Sequence, residues 1–119
     1  MIKDDKILTK FGEQLERGED IYTIVKGKYS CYKVMGVDVV KNAFIAFSNK
    51  TIIICVKEAI GENFTKLKYN EIDRLDLVVK RNFFEVKIIL KNGKKQYITD
   101  IKEMEEIDFL VEIANIVNS

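Results

Sequence analysis

Apolar and polar positions alternate with a period of two through most of this chain. The densest block is residues 42–57, where two apolar runs flank the polar pair Asn49-Lys50. Each run has the length of one strand and is too short for a helix, and Ile52, Ile53, Ile54 and Val56 are β-branched, which suits a pleated, buried surface. The pattern predicts a central β-hairpin. Upstream, Ile21, Thr23 and Val25 alternate with Tyr22, Ile24 and Lys26, which predicts a first strand over residues 19–28. Residues 29–41 contain two tyrosines, Gly36 and Asp38 among apolar residues and follow neither period, so they read as a long loop containing a short strand.

Downstream, the turn residues Gly61 and Asn63 lead into a strand with Thr65, Leu67 and Tyr69 on one face and Lys66 and Lys68 on the other. Leu75, Leu77 and Val79 then alternate with Asp76 and Lys80. Phe84, Val86, Ile88 and Leu90 alternate with Glu85 and Lys87 up to Asn92-Gly93, a strong hairpin signal. A seventh strand, residues 95–99, follows, and the series stops at Asp100.

A helix is expected at each end. Ile7, Leu8, Phe11 and Leu15 recur at helical spacing over residues 5–17, with Gly18 as terminator and Gly12 as a weak point. Asp100 and Glu103 have the spacing of a capping box, which predicts a helix running from there to about Val117. Its stripe of Ile107, Leu110, Val111, Ala114 and Val117 is widened by Phe109, Ile113 and Ile116, and burial of the whole face is expected.

Composition narrows the functions open to the chain. Its 119 residues, 47% of them hydrophobic, suffice for one domain that buries about two-thirds of the surface its unfolded chain exposes. Twenty Lys plus Arg against 19 Asp plus Glu create no global field toward nucleic acid or an anionic membrane, so any such binding needs a local patch. Charges at Lys3, Asp4, Asp5, Lys6 and Lys10 interrupt any signal-peptide core. No apolar run reaches the roughly 18 residues a spanning helix needs, and a cytoplasmic location is expected.

Zero histidines exclude Ser-His and Cys-His nucleophiles and His-based metal sites. Cys31 and Cys55, 24 positions apart, are too few for a zinc site and read as thiols, Cys55 in the core. No phosphate-cradling glycine motif occurs. Asp4-Asp5 lie near a frayed terminus and Glu103 with Glu105 and Glu106 near a helix start, where negative charge favours the helix dipole, which accounts for them without catalysis. No catalytic residue, metal site or cofactor is expected.

Seven strands followed by one C-terminal helix is the element order of the pleckstrin-homology-like (PH-like) fold, and the chain resembles the short bacterial PH-like domains of the YokE-like group. Gly18-Glu19-Asp20-Ile21 matches the family's "GE-x-I/V" opening, Phe47-Ser48-Asn49-Lys50-Thr51-Ile52 its "LTNKRL" hairpin, and Leu67-Lys68-Tyr69-Asn70-Glu71-Ile72 its "sipYdkI" piece. Ser48 stands where Thr is usual and Thr51 where Arg is usual.

The resemblance covers about residues 18–118. It implies a mainly β, partly open barrel of seven antiparallel strands in two near-orthogonal sheets, capped by the C-terminal helix. The domain spans 18–119, and residues 1–17 form an extra amphipathic helix on or beside it. The resemblance also implies that ligands meet the open end, through the loops joining strands one to two, three to four and six to seven.

Lys26, Lys28 and Lys33 fall at or after the first strand, and Lys94 and Lys95 in the sixth-to-seventh turn, so these five are the candidate ligand-binding residues. The plainer reading leaves them solvated. The leading functional reading is a non-catalytic binding module that contacts a protein partner or another copy of itself through barrel-mouth loops or a strand edge. The alternative is weak binding to an anionic membrane surface through the lysines. Nucleic-acid binding is not expected, because charge is balanced and most Tyr and Phe residues alternate inward.

Overall fold

The computed structural model describes residues 2–119. In chain order the elements are α1 (Asp5–Gly12), β1 (Ile21–Ser30), β2 (Lys33–Val34), β3 (Val37–Asp38), β4 (Lys41–Ser48), β5 (Thr51–Lys57), β6 (Glu62–Lys68), β7 (Ile72–Val79), β8 (Phe84–Leu90), β9 (Lys95–Ile101) and α2 (Ile107–Asn118). Seven strands form one antiparallel sheet in the order β6-β5-β4-β1-β9-β8-β7, and β2 with β3 makes a separate ribbon. The two sheets expected from the sequence are thus joined in one ladder. The reason is β1, whose ten residues pair with β4 from Ile21 to Tyr29 and with β9 through Lys28, Tyr29 and Ser30.

The inner face of β4 and β5, including Ile45, Phe47, Ile52 and Ile54, shares one buried cluster with Leu75, Val86, Ile88 and Ile98 of β7–β9 and with Leu110, Ile113 and Ala114 of α2. The sheet must therefore curl around a common core that α2 helps to close. A second cluster forms on the outer face, where Phe11, Ile7 and Leu8 of α1 cover Ile24, Ala46, Ile53 and Cys55. This is why Ile52 to Val56 of β5 are all buried: one parity faces the shared core and the other lies beneath α1, while the preceding Thr51 is buried against Glu19. Cys55 is a free thiol in that layer, and burial pushes its pKa up; Cys31 is also free, and exposed. No helix among the described residues is long and apolar enough to cross a membrane.

Both helices depart from the sequence expectation. The Asp4 carboxylate caps α1 by accepting from the Lys6 and Ile7 amides, but the helix stops at Gly12 rather than residue 17, and Leu15 reaches the outer cluster from the following turns. The expected capping box at Asp100 and Glu103 does not form. Asp100 lies within β9 with φ 56, at a bulge where the step from Phe84 to Val86 on β8 faces the longer step from Ile101 to Ile98. Extending the strand to residue 101 buries Ile101 completely against the core, and the gain in buried apolar surface outweighs an earlier helix start. α2 begins only at Ile107, after a single 3-10 turn over Met104–Glu106. Its apolar face is not wholly buried, since Val111 and Ile116 are exposed.

At the last turn of α2 the Asn118 side chain behaves like a short piece of strand. Its Nδ2 donates to the Leu75 carbonyl and its Oδ1 accepts from the Leu75 amide, both at 2.8 Å, covering part of the β7 edge. Asn118→Ala is expected to lower stability by about 1–2 kcal/mol and to speed hydrogen exchange at the Leu75 amide, both measurable in a urea titration followed by amide-exchange NMR.

Candidate functional site

The three motif pieces carrying the family resemblance meet at one end of the barrel and bond to one another. Glu19 is buried, and its carboxylate accepts from Ser48 Oγ at 2.5 Å, Thr51 Oγ1 at 2.6 Å, Lys66 Nζ at 3.0 Å and the Glu16 amide at 3.0 Å. Burial by itself would raise the pKa of this carboxyl. The hydrogen bonds from Ser48, Thr51, the Glu16 amide and Lys66 together outweigh it and hold the pKa at about 2. Asn49 ties the β4–β5 turn to the start of β1, donating from Nδ2 to the Gly18 carbonyl and accepting at Oδ1 from the Asp20 amide. Tyr69 of the third piece donates to the Ser48 carbonyl at 2.7 Å. The polar capacity of this clasp is largely spent within the chain, so its chemistry is that of a structural joint.

At the opposite end of β4 and β5, polar groups give way to exposed apolar ones. Residues 29–41, which the sequence pattern left as a loop with one short strand, finish β1 and then form the β2–β3 hairpin. Met35 and Gly36 occupy its two-residue turn with φ of 51° and 80°, the positive values of a type I′ turn. Met35 is 98% exposed, and Tyr32, Val34, Val37 and Val40 around it are exposed as well. The tip of the β5–β6 turn, at the same end of the strands, carries Ile60 at 95% exposure. The ion pair of Lys41 Nζ with Glu58 at 3.0 Å links the two loops, and this hydrogen bond raises the Lys41 pKa. The signal that could have found the hairpin was Met35-Gly36 between two valines. It was weak because methionine stands where Asn or Asp usually marks such a turn.

Four of the five candidate lysines divide between two hollows beside β1 and β9. Lys26 and Lys28 line one of about 290 Å³ with Asn42, Asp100, Lys102 and Glu103. Lys33 and Lys95 line the other, also about 290 Å³, with Ser30, Tyr32, Asp38 and Tyr97. Lys94 lies beside Lys95 at the β8–β9 turn, where its amide donates to the Asn92 side chain. The two expected sets therefore meet only through Lys33 and Lys95. Carboxylates accompany both hollows, with Lys28 at 4.0 Å from Asp100 and Lys33 at 3.9 Å from Asp38. The apolar hairpin between the lysines was not among the sequence candidates.

Solved structures that share the fold include the following three. A DUF1696 family protein with a pleckstrin-homology domain from Shewanella loihica PV-4 superimposes with a TM-score of 0.59 at 11% identity, covering 100% of each chain. The C-terminal domain of an unknown protein from Leishmania infantum gives a TM-score of 0.57 at 12% identity, covering 90% of this chain and 93% of that one. The pleckstrin homology domain of USP37 gives 0.54 at 11% identity, covering 80% and 95%. At these identities the likeness speaks for the fold alone. No match is found among curated proteins. A family model described as bacterial PH domain matches residues 15–116, and the chain belongs to that family.

Proposed function

We propose that this chain is a non-catalytic binding module that contacts its partner, a protein or a second copy of itself, through the rim formed by the β2–β3 hairpin and the β5–β6 turn. The PH fold is in general a binding module rather than a catalyst. The observation that carries the reading is the hairpin itself, where the side chains of Tyr32, Val34, Met35, Val37 and Val40 are held in solvent by a defined turn. Contiguous exposed apolar surface of this kind marks a contact site more often than an accident of sequence.

The sheet edges are weaker candidates. Asn118 covers part of β7. On β6, Lys66 is held by the Gln14 carbonyl and Glu19, and Lys68 is exposed, the kind of charge that discourages strand addition.

A photoreactive amino acid placed at Met35, and separately at the exposed Glu112 of α2, tests the reading in the native cell. Adducts from position 35, with few or none from 112, are the expected result. Adducts from 112 alone would move the contact surface to the helix and remove the rim from consideration.

A further inference from the structure

We propose that the seam of β1 and β9, which leads away from the rim, docks an extended acidic segment of a protein partner. The proposal rests on the reading of the chain as a protein-binding module and names the partner's chemistry. The two hollows beside the seam lie end to end. Lys26, Lys28 and Ser30 alternate onto one face of β1, the face away from the shared core, where Lys26 stands over the Phe44 ring. Tyr97 of β9 is the register partner of Ser30. Lys26 and Lys28 line the first hollow, Ser30 and Tyr97 the second, which runs on to Tyr32. From Lys26 to Tyr32 the seam spans about 20 Å, room for about six residues of extended chain.

Charge is the second argument. The two hollows are lined by five lysines against three carboxylates, in a chain whose net charge is only +1. Three of these ammonium groups have donors to spare. Lys28 and Lys102 approach the same Asp100 oxygen at 4.0 and 3.9 Å, and Lys33 stands 3.9 Å from Asp38, all beyond hydrogen-bond length. Away from the seam, Lys50 bonds the Arg17 carbonyl at 3.0 Å and Lys66 the Gln14 carbonyl at 2.7 Å. The lysines of the seam are thus the ones left open to an anion from outside the chain.

Glu103 selects among anions. It lines the first hollow, and its Oε2 is buried with no hydrogen-bond partner. An orphaned carboxylate oxygen calls for a donor. A peptide carries backbone N–H groups between its acidic side chains, so it satisfies Glu103 and the lysines together. A polyphosphate chain brings acceptors alone and leaves this oxygen unpaired beside a second negative charge.

The test titrates the full chain, labelled with nitrogen-15, with a glutamate octapeptide acetylated and amidated at its ends. Saturable amide shifts at Lys26 to Ser30 and at Thr99 to Glu103 are expected, weakening as salt is raised. Lys28→Glu combined with Lys102→Glu changes two exposed side chains, so the spectrum should keep its dispersion while the affinity falls about tenfold or more. An octamer of N-methylglutamate has the same charge without N–H donors. It should bind about tenfold more weakly than the peptide, as should inorganic polyphosphate of equal charge.

No saturable shift, shifts that the double variant leaves unchanged, or equal binding of the N-methylated octamer or polyphosphate overturns the proposal. The octapeptide has no apolar side chain with which to engage the rim. Its failure alongside protein adducts from position 35 would therefore sink the acidic partner and leave the rim as the contact surface. Failure of both would remove the binding reading from this face of the barrel as well as from the rim.

Discussion

Glu19→Ala is expected to destabilise the fold by about 3–5 kcal/mol, the cost typical of breaking a buried ion pair by removing one partner. The variant leaves the Ser48 and Thr51 hydroxyls and the Lys66 ammonium without the buried carboxylate that joins them. The same site sets an acid limit. The folded pKa is depressed to about 2 from the ordinary 4.5, so the carboxylate's contribution is fully present above about pH 4.5 and is lost as pH falls through about 2. The shift corresponds to about 3 kcal/mol. Urea midpoints measured from neutral pH down to about pH 2 should show a steep acid decline in the wild type and a shallower one in Glu19→Gln, which has no proton to take up at this position. Equal slopes in the two proteins would show that the loss of stability in acid comes from other carboxylates.

Gly27→Ala is expected to cost about 1–3 kcal/mol, although it adds a single methyl group. A Cβ at this position would stand 2.8 Å from the Thr99 carbonyl oxygen and 3.0 Å from side-chain carbons of both Ile98 and Ile101. The closest of these is backbone, held in the sheet where Lys28 pairs with Thr99, so it cannot move aside cheaply. The damage should be local to the seam that makes one sheet from two sets of strands. Amide exchange in Gly27→Ala should accelerate at Lys28 to Ser30 and at Ile98 to Ile101 more than in the β4–β5 hairpin. Unchanged stability would mean that β1 and β9 are not held as closely as this packing requires.

Strand identity was legible in the sequence wherever one face alone is buried. β8 shows this most clearly, with Phe84, Val86, Ile88 and Leu90 buried and the residues between them half-buried. β5 was legible for a different reason: it is apolar on both parities, and the structure supplies a cover for each. The C-terminal helix was visible but its start was not, because Asp100 with Glu103 has the local spacing of a cap. Nothing local reveals that Ile101 is better buried in β9 than left at the start of a helix.

The candidate surface was legible only as a set of lysines. Lysines flanking the expected loops could be named, and the structure brings Lys33 and Lys95 together while leaving Lys26 and Lys28 around a separate hollow. The hairpin at the centre of the rim escaped because Met35 is an unusual residue for its turn, and because apolar residues in an unassigned stretch look like core until their exposure is known.

The sequence by itself determined the seven strands of the large sheet, the presence of a helix at each end, the motif pieces of a bacterial PH domain and the absence of histidine chemistry. Each of these follows from local periodicity or from which side chains exist. Only the tertiary structure decided that β1 belongs to both halves of the sheet, that Glu19 joins the motif pieces in a buried clasp, and that the valines around Met35 face water. Those outcomes depend on contacts between residues tens of positions apart. In such contacts the burial of one side chain is set by which distant strand or helix arrives to cover it, and no local pattern encodes that arrival.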